Sequence, residues 1–360
     1  MADEDDSGTY LERIVDEERL AEFLESELGP ADAYDVRHLG EGHSNETLLV
    51  TWGESGLVIR RPPPGEVASS AHDVLREYRF ITALQGTGVR VPPAVAACDD
   101  HSVLGCDFYV MEALSGDVIR TVVPERFERP AHREQIGREL VDNLIAVHGV
   151  DYEAVGLGDV GHPEGFTARQ VERWTKQLAW AREVTAEERA VPGIDRVTEW
   201  LEDNVPDSYP HTLIHGDYKL DNVMFGPGTP PEVVSVFDWE LATLGDPFTD
   251  LGWMLSFWWD ESDPPAPGST GDLYPTFMRD DDYMTRRELV DRYEAATGMT
   301  FADQRFYRVL AVYKLTALGE MFFRRYLEGN SDDPLYPKME EGVIELAERA
   351  VRVMQGEEPL

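Results

Sequence analysis

The spacing of apolar positions changes character near residue 115. Upstream, Leu11, Ile14, Val15, Leu20, Phe23, Leu24 and Leu28 share one helical face and predict an amphipathic helix over Leu11–Leu28, stopped by Gly29-Pro30. Short β-rich runs follow at Val36–Leu39, Thr47–Thr51 and Leu57–Arg60, then a helical pattern from about Ser70 to Leu84. Two more strand-like runs lie at Ala94–Cys98 and Asp107–Leu114. Strands with a single helix among them imply a small, mostly antiparallel sheet carrying one packed helix.

Beyond Gly116 a 3.6-residue period dominates. It predicts helices at about Pro130–His148, Thr167–Glu183, Ile194–Asn204, Asp250–Trp258, Thr285–Ala296, Phe301–Tyr326 and Lys338–Met354. Two short strand-like runs, Thr212–His215 and Val233–Phe237, interrupt the helices. The reading is an α+β chain of two domains, residues 1–114 with a small sheet and residues 115–360 mainly helical. Residues 260–282 form a loop rich in Pro, Gly and acids, long enough to be functional or unstructured.

Charge narrows the partners. Seventy acidic residues face 32 basic ones, a net −38, and the acids are spread along the whole chain. Only Lys176, Lys219, Lys314 and Lys338 are lysines; the remaining basic residues are arginines. An acidic surface so evenly distributed fits a halophilic protein, because concentrated salt screens its self-repulsion over a few ångströms. No basic stripe exists to neutralise nucleic-acid phosphates, so no nucleic-acid partner is expected. No run approaches the roughly 20 apolar residues of a spanning helix, so no membrane partner is expected either. The acidic N-terminus lacks a signal-peptide pattern, and Cys98 and Cys106 have no metal-type spacing; both fit a cytoplasmic location.

The densest chemistry lies in His215-Gly216-Asp217-Tyr218-Lys219-Leu220-Asp221-Asn222, followed by Phe237-Asp238-Trp239. Phosphoryl transfer from a nucleotide to a hydroxyl needs a base near the acceptor, oxygen ligands for a metal ion and positive charge on the γ-phosphate. Asp217, Asn222, Asp238 and Lys219 supply these groups in one short stretch. Alone, Asp-x4-Asn is common and fits turn-forming residues; it gains specificity from the elements upstream. Gly40, Gly42, Ser44 and Asn45 lie between two predicted strands, where a hairpin can lay backbone N–H groups over nucleotide phosphates. Arg60 ends a predicted strand and Glu77 sits on the next helix, the places where protein kinases pair a lysine with a glutamate. Arginine keeps that pairing chemically possible with a different geometry. Met111, Glu112 and Ala113 end the last strand of the first domain, where a strand edge can meet an adenine ring.

These residues resemble the aminoglycoside phosphotransferase/choline kinase group, which has a bilobal protein-kinase-like fold. The likeness runs from Val36 to about Tyr326. Arg60-Arg61-Pro62-Pro63-Pro64-Gly65, the octapeptide at 215–222 and Phe237-Asp238-Trp239-Glu240 with Gly245-Asp246-Pro247 look most like one branch, the kinase-like domain found ahead of acyl-CoA dehydrogenase domains. The resemblance implies ATP as co-substrate, Asp217 as catalytic base and Asn222 and Asp238 as Mg²⁺ ligands. It also implies Lys219 near the γ-phosphate, His215 shaping the loop, and Asp250 bracing it from the following helix.

The acceptor is expected to be a small-molecule hydroxyl; the sequence names no protein partner. Met284–Tyr326 holds Arg286, Arg287, Arg292, Arg305, Arg308, Lys314, Arg324 and Arg325, about twice its share of the basic residues. That local excess favours an anionic acceptor, such as a hydroxyacyl-CoA, over a cationic aminoglycoside or choline. The bland alternative is that these cations pair with acids on the helix faces. The aromatic residues around Trp253 read more simply as core than as pocket. A nucleotide-binding pseudokinase that regulates a partner and a non-nucleotide acidic scaffold are the remaining readings.

Overall fold

Burial of the alternating residues produces a sheet in the first part of the chain and a helical assembly in the second. The computed structural model describes residues 10–39, 45–64, 73–207, 209–261, 263–264, 268–269, 271, 274–280, 282–330, 333–358 and 360. Gly40, Gly42 and Ser44 of the expected phosphate hairpin lie outside these residues; Asn45 is described and is buried. The chain divides into two compact units, Met1–Gly116 with Val234–Leu241, and Asp117–Val233 with Ala242–Leu360.

In the first unit, α1 (Glu17–Leu28) precedes β1 (Tyr34–His38), β2 (Glu46–Trp52) and β3 (Ser55–Arg61). Then come α2 (Val74–Leu84), β4 (Ala94–Cys98), the short α3 (His101–Leu104) and β5 (Phe108–Glu112). The strands form one five-stranded sheet in the order β1-β2-β3-β5-β4, antiparallel throughout. Leu48 and Val50 of β2, Leu57 and Ile59 of β3 and Phe108 and Val110 of β5 turn inward against Leu20 and Leu24 of α1. Each such side chain contributes roughly 1.5–3 kcal/mol on burial, which fixes the register, because a one-residue slip would expose the whole set.

The first helix is shorter than its periodicity predicts. Asp16 accepts a hydrogen bond from the Arg19 amide (3.1 Å) and caps α1, so the apolar residues Leu11, Ile14 and Val15 belong to a separate helical turn. Asp73 does the same for α2 through the Arg76 amide (2.9 Å), so that helix begins at Val74.

The second unit contains β6 (Asp117–Val118), α4 (Pro130–His148), α5 (Phe166–Thr185), α6 (Ile194–Asp203), β7 (Thr212–Ile214) and β8 (Val223–Phe225). From β9 (Val233–Val236) the chain passes through the first unit and returns with β10 (Thr243–Gly245). It closes with α7 (Pro247–Ser256), α8 (Arg286–Thr297), α9 (Gln304–Leu327) and α10 (Met339–Gln355). Buried almost all round, α9 packs on α5, α7 and α10. Gly252 lets α7 approach it closely: a Cβ there would sit 2.8 Å from the Tyr307 carbonyl oxygen. No helix among the described residues is long and apolar enough to cross a membrane.

Candidate active site

In the second unit, β7 pairs antiparallel with β10 and delivers His215 to the start of the loop. Gly216 takes φ +85°, a conformation that disfavours side chains, and the chain turns there. The turn is held from α7. Asp250, 1% exposed, accepts hydrogen bonds from the backbone N–H of His215 (2.6 Å) and of Gly216 (2.8 Å). His148 on α4 donates its Nε2–H to the same carboxylate (3.3 Å), and the Tyr293 hydroxyl lies 2.7 Å from His148 Nδ1. Burial opposes ionisation of Asp250, but the His148 hydrogen bond and charge, helped by His215, prevail and lower its pKa. His215 is fully buried, and its Nδ1 accepts the Asp217 amide N–H (3.2 Å), which requires the neutral ring at that atom.

Asp217 is gripped at both carboxylate oxygens. The Trp253 indole N–H donates to Oδ1 (2.7 Å), and the Asn222 amide donates to Oδ2 (2.9 Å) and to the Asp217 carbonyl (2.8 Å). Asn222 lies in the 3₁₀ turn Leu220–Asn222 that leads into β8, with its carbonyl oxygen turned to the other side of the amide. Trp253 and Asp250 are three residues apart on α7 and therefore share a face, so one helix positions both the loop backbone and the carboxylate. The N-terminus of α7 is itself fixed: Asp246 accepts from the Phe248 amide (3.0 Å), the Tyr307 hydroxyl (2.6 Å) and the Thr167 hydroxyl (3.0 Å).

Two cations accompany this loop. Lys219 donates to Asp221 (2.7 Å), giving a partner to a residue to which the sequence assigns no role. Lys314 of α9 donates to the Gly216 carbonyl (2.7 Å) and lies 3.8 Å from the centroid of the Trp253 ring. Burial lowers its pKa to about 8 against the opposing attraction of Asp217 and Asp250. The expected catalytic loop includes neither residue: Trp253 reads as core and Lys314 as one of the acceptor-side cations. Their signals were the i, i+3 spacing from Asp250 and the retention of a lysine in a chain that otherwise uses arginine.

The first unit gathers a second cluster. Arg60 lies 3.8 Å from Glu77 and 3.9 Å from Asp238, and donates to the Thr47 hydroxyl (3.1 Å). Glu77, 1% exposed, accepts the Trp239 amide N–H (3.3 Å); burial raises its pKa despite Arg60. Burial also opposes the Arg60 charge, but Glu77 and Asp238 outweigh it and raise that pKa. Asp238 has φ +65°, a conformation that β-carbons disfavour and that persists only where surrounding contacts enforce it. Those contacts include the Val236 amide on the Arg90 carbonyl (2.7 Å), Arg76 on the Glu240 carbonyl (3.0 Å) and Trp239 stacked over Phe80.

At the end of β5 two of the backbone N–H groups expected to face a base are already bonded. Met111 is buried opposite Val58, the Glu112 amide donates to the Pro93 carbonyl (2.9 Å), and the Ala113 amide donates to the Gly56 carbonyl (2.9 Å). Sheet closure uses both N–H groups, so neither is available to a base. The basic residues of α8 and α9 are also largely engaged. Arg286 and Arg308 are buried against Asp263 and Glu358, Arg292 forks onto Asp142 (2.6 Å twice), and Arg324 pairs with Glu328 (2.8 Å).

Residues 35–289 match the model of the phosphotransferase enzyme family known as APH. The chain is 31% identical over 345 residues to mouse acyl-CoA dehydrogenase family member 10, covering 92% of this chain and 31% of that protein. It spans about a third of the length of the curated relatives it matches, 37% in the case of rat acyl-CoA dehydrogenase family member 11. A solved structure from Ralstonia eutropha, assigned as an aminoglycoside phosphotransferase, superposes with TM-score 0.78 at 31% identity, over 95% of this chain and 98% of its own. A spectinomycin phosphotransferase in complex with ADP and spectinomycin shares the fold, with TM-score 0.60 at 12% identity over 93% and 98% of the two chains.

Proposed function

The chain belongs to the phosphotransferase enzyme family, with a protein-kinase-like α+β fold, and on that premise we propose ATP-dependent transfer of the γ-phosphoryl group to a hydroxyl of a small metabolite. The observation that carries this reading is the loop at 215–222. Its backbone is tied to Asp250, and its one carboxylate aimed by both α7 and Asn222 is Asp217. A base held at both oxygens loses little orientational entropy when it accepts the acceptor's proton, which is where positioning lowers a barrier.

The oxygens of Asn222 and Asp238 suit Mg²⁺, a hard ion that takes few protein ligands and completes its shell with water and phosphate. When bound, the ion would neutralise charge developing on the phosphate oxygens. Arg60, oriented by Glu77, would hold nucleotide phosphates by the same charge-assisted bonds that kinases draw from a lysine. Lys219 would add positive charge near the transferred group. His215, as a buried acceptor, shapes the loop.

For the acceptor, an anionic metabolite such as a hydroxyacyl-CoA remains our reading. Its support lies in Lys314, desolvated beside the loop, and in the relatives' association with acyl-CoA dehydrogenases. The paired arginines of α8 and α9 do not add to it. A phosphorylation screen of a metabolite library in molar KCl tests both levels. Label transferred to an anionic hydroxy compound supports the reading in full. Transfer to an aminoglycoside or choline overturns the acceptor class alone. Nucleotide binding without any transfer across the panel replaces the enzyme with a pseudokinase.

A further inference from the structure

We propose that the second unit carries a separate ligand site, for a phosphate-bearing small anion, in the cavity at the N-terminus of α9. The cavity measures about 440 Å³, and its lining includes Arg287, Arg305 and Arg308, the acids Asp303 and Glu358, and the rings of Trp200 and Phe306. Three guanidinium groups around one cavity run against the composition of a chain with 32 basic residues and net charge −38.

The cations are only partly answered by acids. Arg305 is exposed and makes no ion pair or hydrogen bond among the described residues, and the nearest acid to Arg287, Asp291, is 4.0 Å away. Arg308 is 3% exposed and donates to Glu358 (3.0 Å), while its Nε–H has no hydrogen-bond partner among the described residues. Glu358 is shared with Arg349 (2.8 Å), so one carboxylate serves two buried guanidinium groups. Burial first, and then the neighbouring Arg286, lowers the Arg308 pKa to about 9 even with Glu358 in place.

The backbone adds to it. α9 is 24 residues long, and no side chain caps its first turn. The Asp303 carboxylate, at the capping position, instead accepts the Tyr209 hydroxyl (2.7 Å). The Phe306 N–H is taken by the Asp303 carbonyl (2.9 Å), which leaves the N–H groups of Gln304 and Arg305 for a tetrahedral oxyanion. Guanidinium forks match phosphate oxygens in pairs. Trp200 and Phe306, with ring centroids 6.5 Å apart, offer an apolar wall for the body of an organic phosphate. None of this depends on the phosphotransfer reading.

The test is calorimetric titration of the full chain with inorganic pyrophosphate, at constant ionic strength and a KCl concentration that keeps it folded. Arg305→Gln and Arg287→Gln alter exposed residues and leave the fold intact, whereas Arg308→Gln would leave Glu358 short of a buried partner and is not used. Wild type binds pyrophosphate, and each exposed-arginine variant binds about tenfold more weakly or worse. The proposal is overturned if wild type shows no binding, or if Arg305→Gln and Arg287→Gln match it, which would assign the signal to the nucleotide groups. Citrate binding more tightly than pyrophosphate would overturn the phosphate assignment.

Discussion

Asp250→Ala removes the one carboxylate that holds the turn at His215 and Gly216. Two backbone N–H groups, at 2.6 and 2.8 Å, and the His148 Nε2–H, at 3.3 Å, would then be buried without an acceptor. Each buried, unsatisfied donor costs about 1–3 kcal/mol. Because the three share one acceptor and relax together, the expected loss is about 4 kcal/mol, a large part of a stability of about 5–15 kcal/mol. Asp250→Asn keeps one acceptor oxygen but sets an amide against a donor, so it falls between wild type and alanine. Urea unfolding in molar KCl gives the free energies, and hydrogen exchange at the His215 and Gly216 amides gives the local effect. The pH dependence has a defined sign. The folded-state pKa of Asp250 is lowered, so its contribution is complete above the ordinary carboxyl pKa of about 4 and is lost as pH falls through the folded value. Asp250→Asn should lack that acid-dependent component. Stability within about 0.5 kcal/mol of wild type, with unchanged exchange at the two amides, would refute the bracing role.

Trp253→Phe keeps the ring but removes the donor to Asp217; loss of one charge-assisted hydrogen bond should lower kcat about tenfold or more with the ATP KM unchanged. A raised KM at constant kcat would place Trp253 in binding instead. Arg60→Met leaves Glu77 buried beside Asp238 with no compensating cation and should cost about 3–5 kcal/mol at neutral pH. The deficit should shrink as pH falls from neutral toward the ordinary glutamate range, because the raised pKa lets Glu77 take up a proton early in the folded state; denaturant midpoints across that range check this. For Lys314 the folded pKa is lowered to about 8, so the unfolded chain binds more protons above that pH and wild-type stability should rise from pH 8 toward the ordinary lysine value. Lys314→Met should lose that slope relative to wild type, and parallel pH profiles would refute the desolvated-ammonium reading.

Where the sequence resolves this protein, it does so through local rules. Pro130 at the first turn and Gly149 after the last place α4 at its observed ends, and alternation places β2 and β3 to within a residue or two. Asp217 and Asn222 stood out as candidates because their spacing lies within one short segment, whereas Asp250 entered through the family resemblance. Other features depend on partners far away in the chain. Continuous apolar spacing hid the break at Asp16, where one side-chain cap competes with periodicity and prevails. β6, β8 and β10 are two or three residues long and carry no period to read. Arg286 and Arg308 looked like acceptor-binding cations until Asp263 and Glu358, 23 and 50 residues away, proved to engage them. Nothing local foretold that Val234–Leu241 would join the first unit.

The central claim is that Asp217 accepts the acceptor's proton in phosphoryl transfer. Its most direct test is the labelled-ATP library screen run side by side on wild type and Asp217→Asn in molar KCl, with circular dichroism and nucleotide binding measured on both. The account predicts transfer by wild type to at least one hydroxyl compound. It also predicts a folded, nucleotide-binding Asp217→Asn variant whose transfer rate falls at least about a hundredfold, in the range typical for loss of a general base. Transfer by Asp217→Asn at the wild-type rate would contradict it.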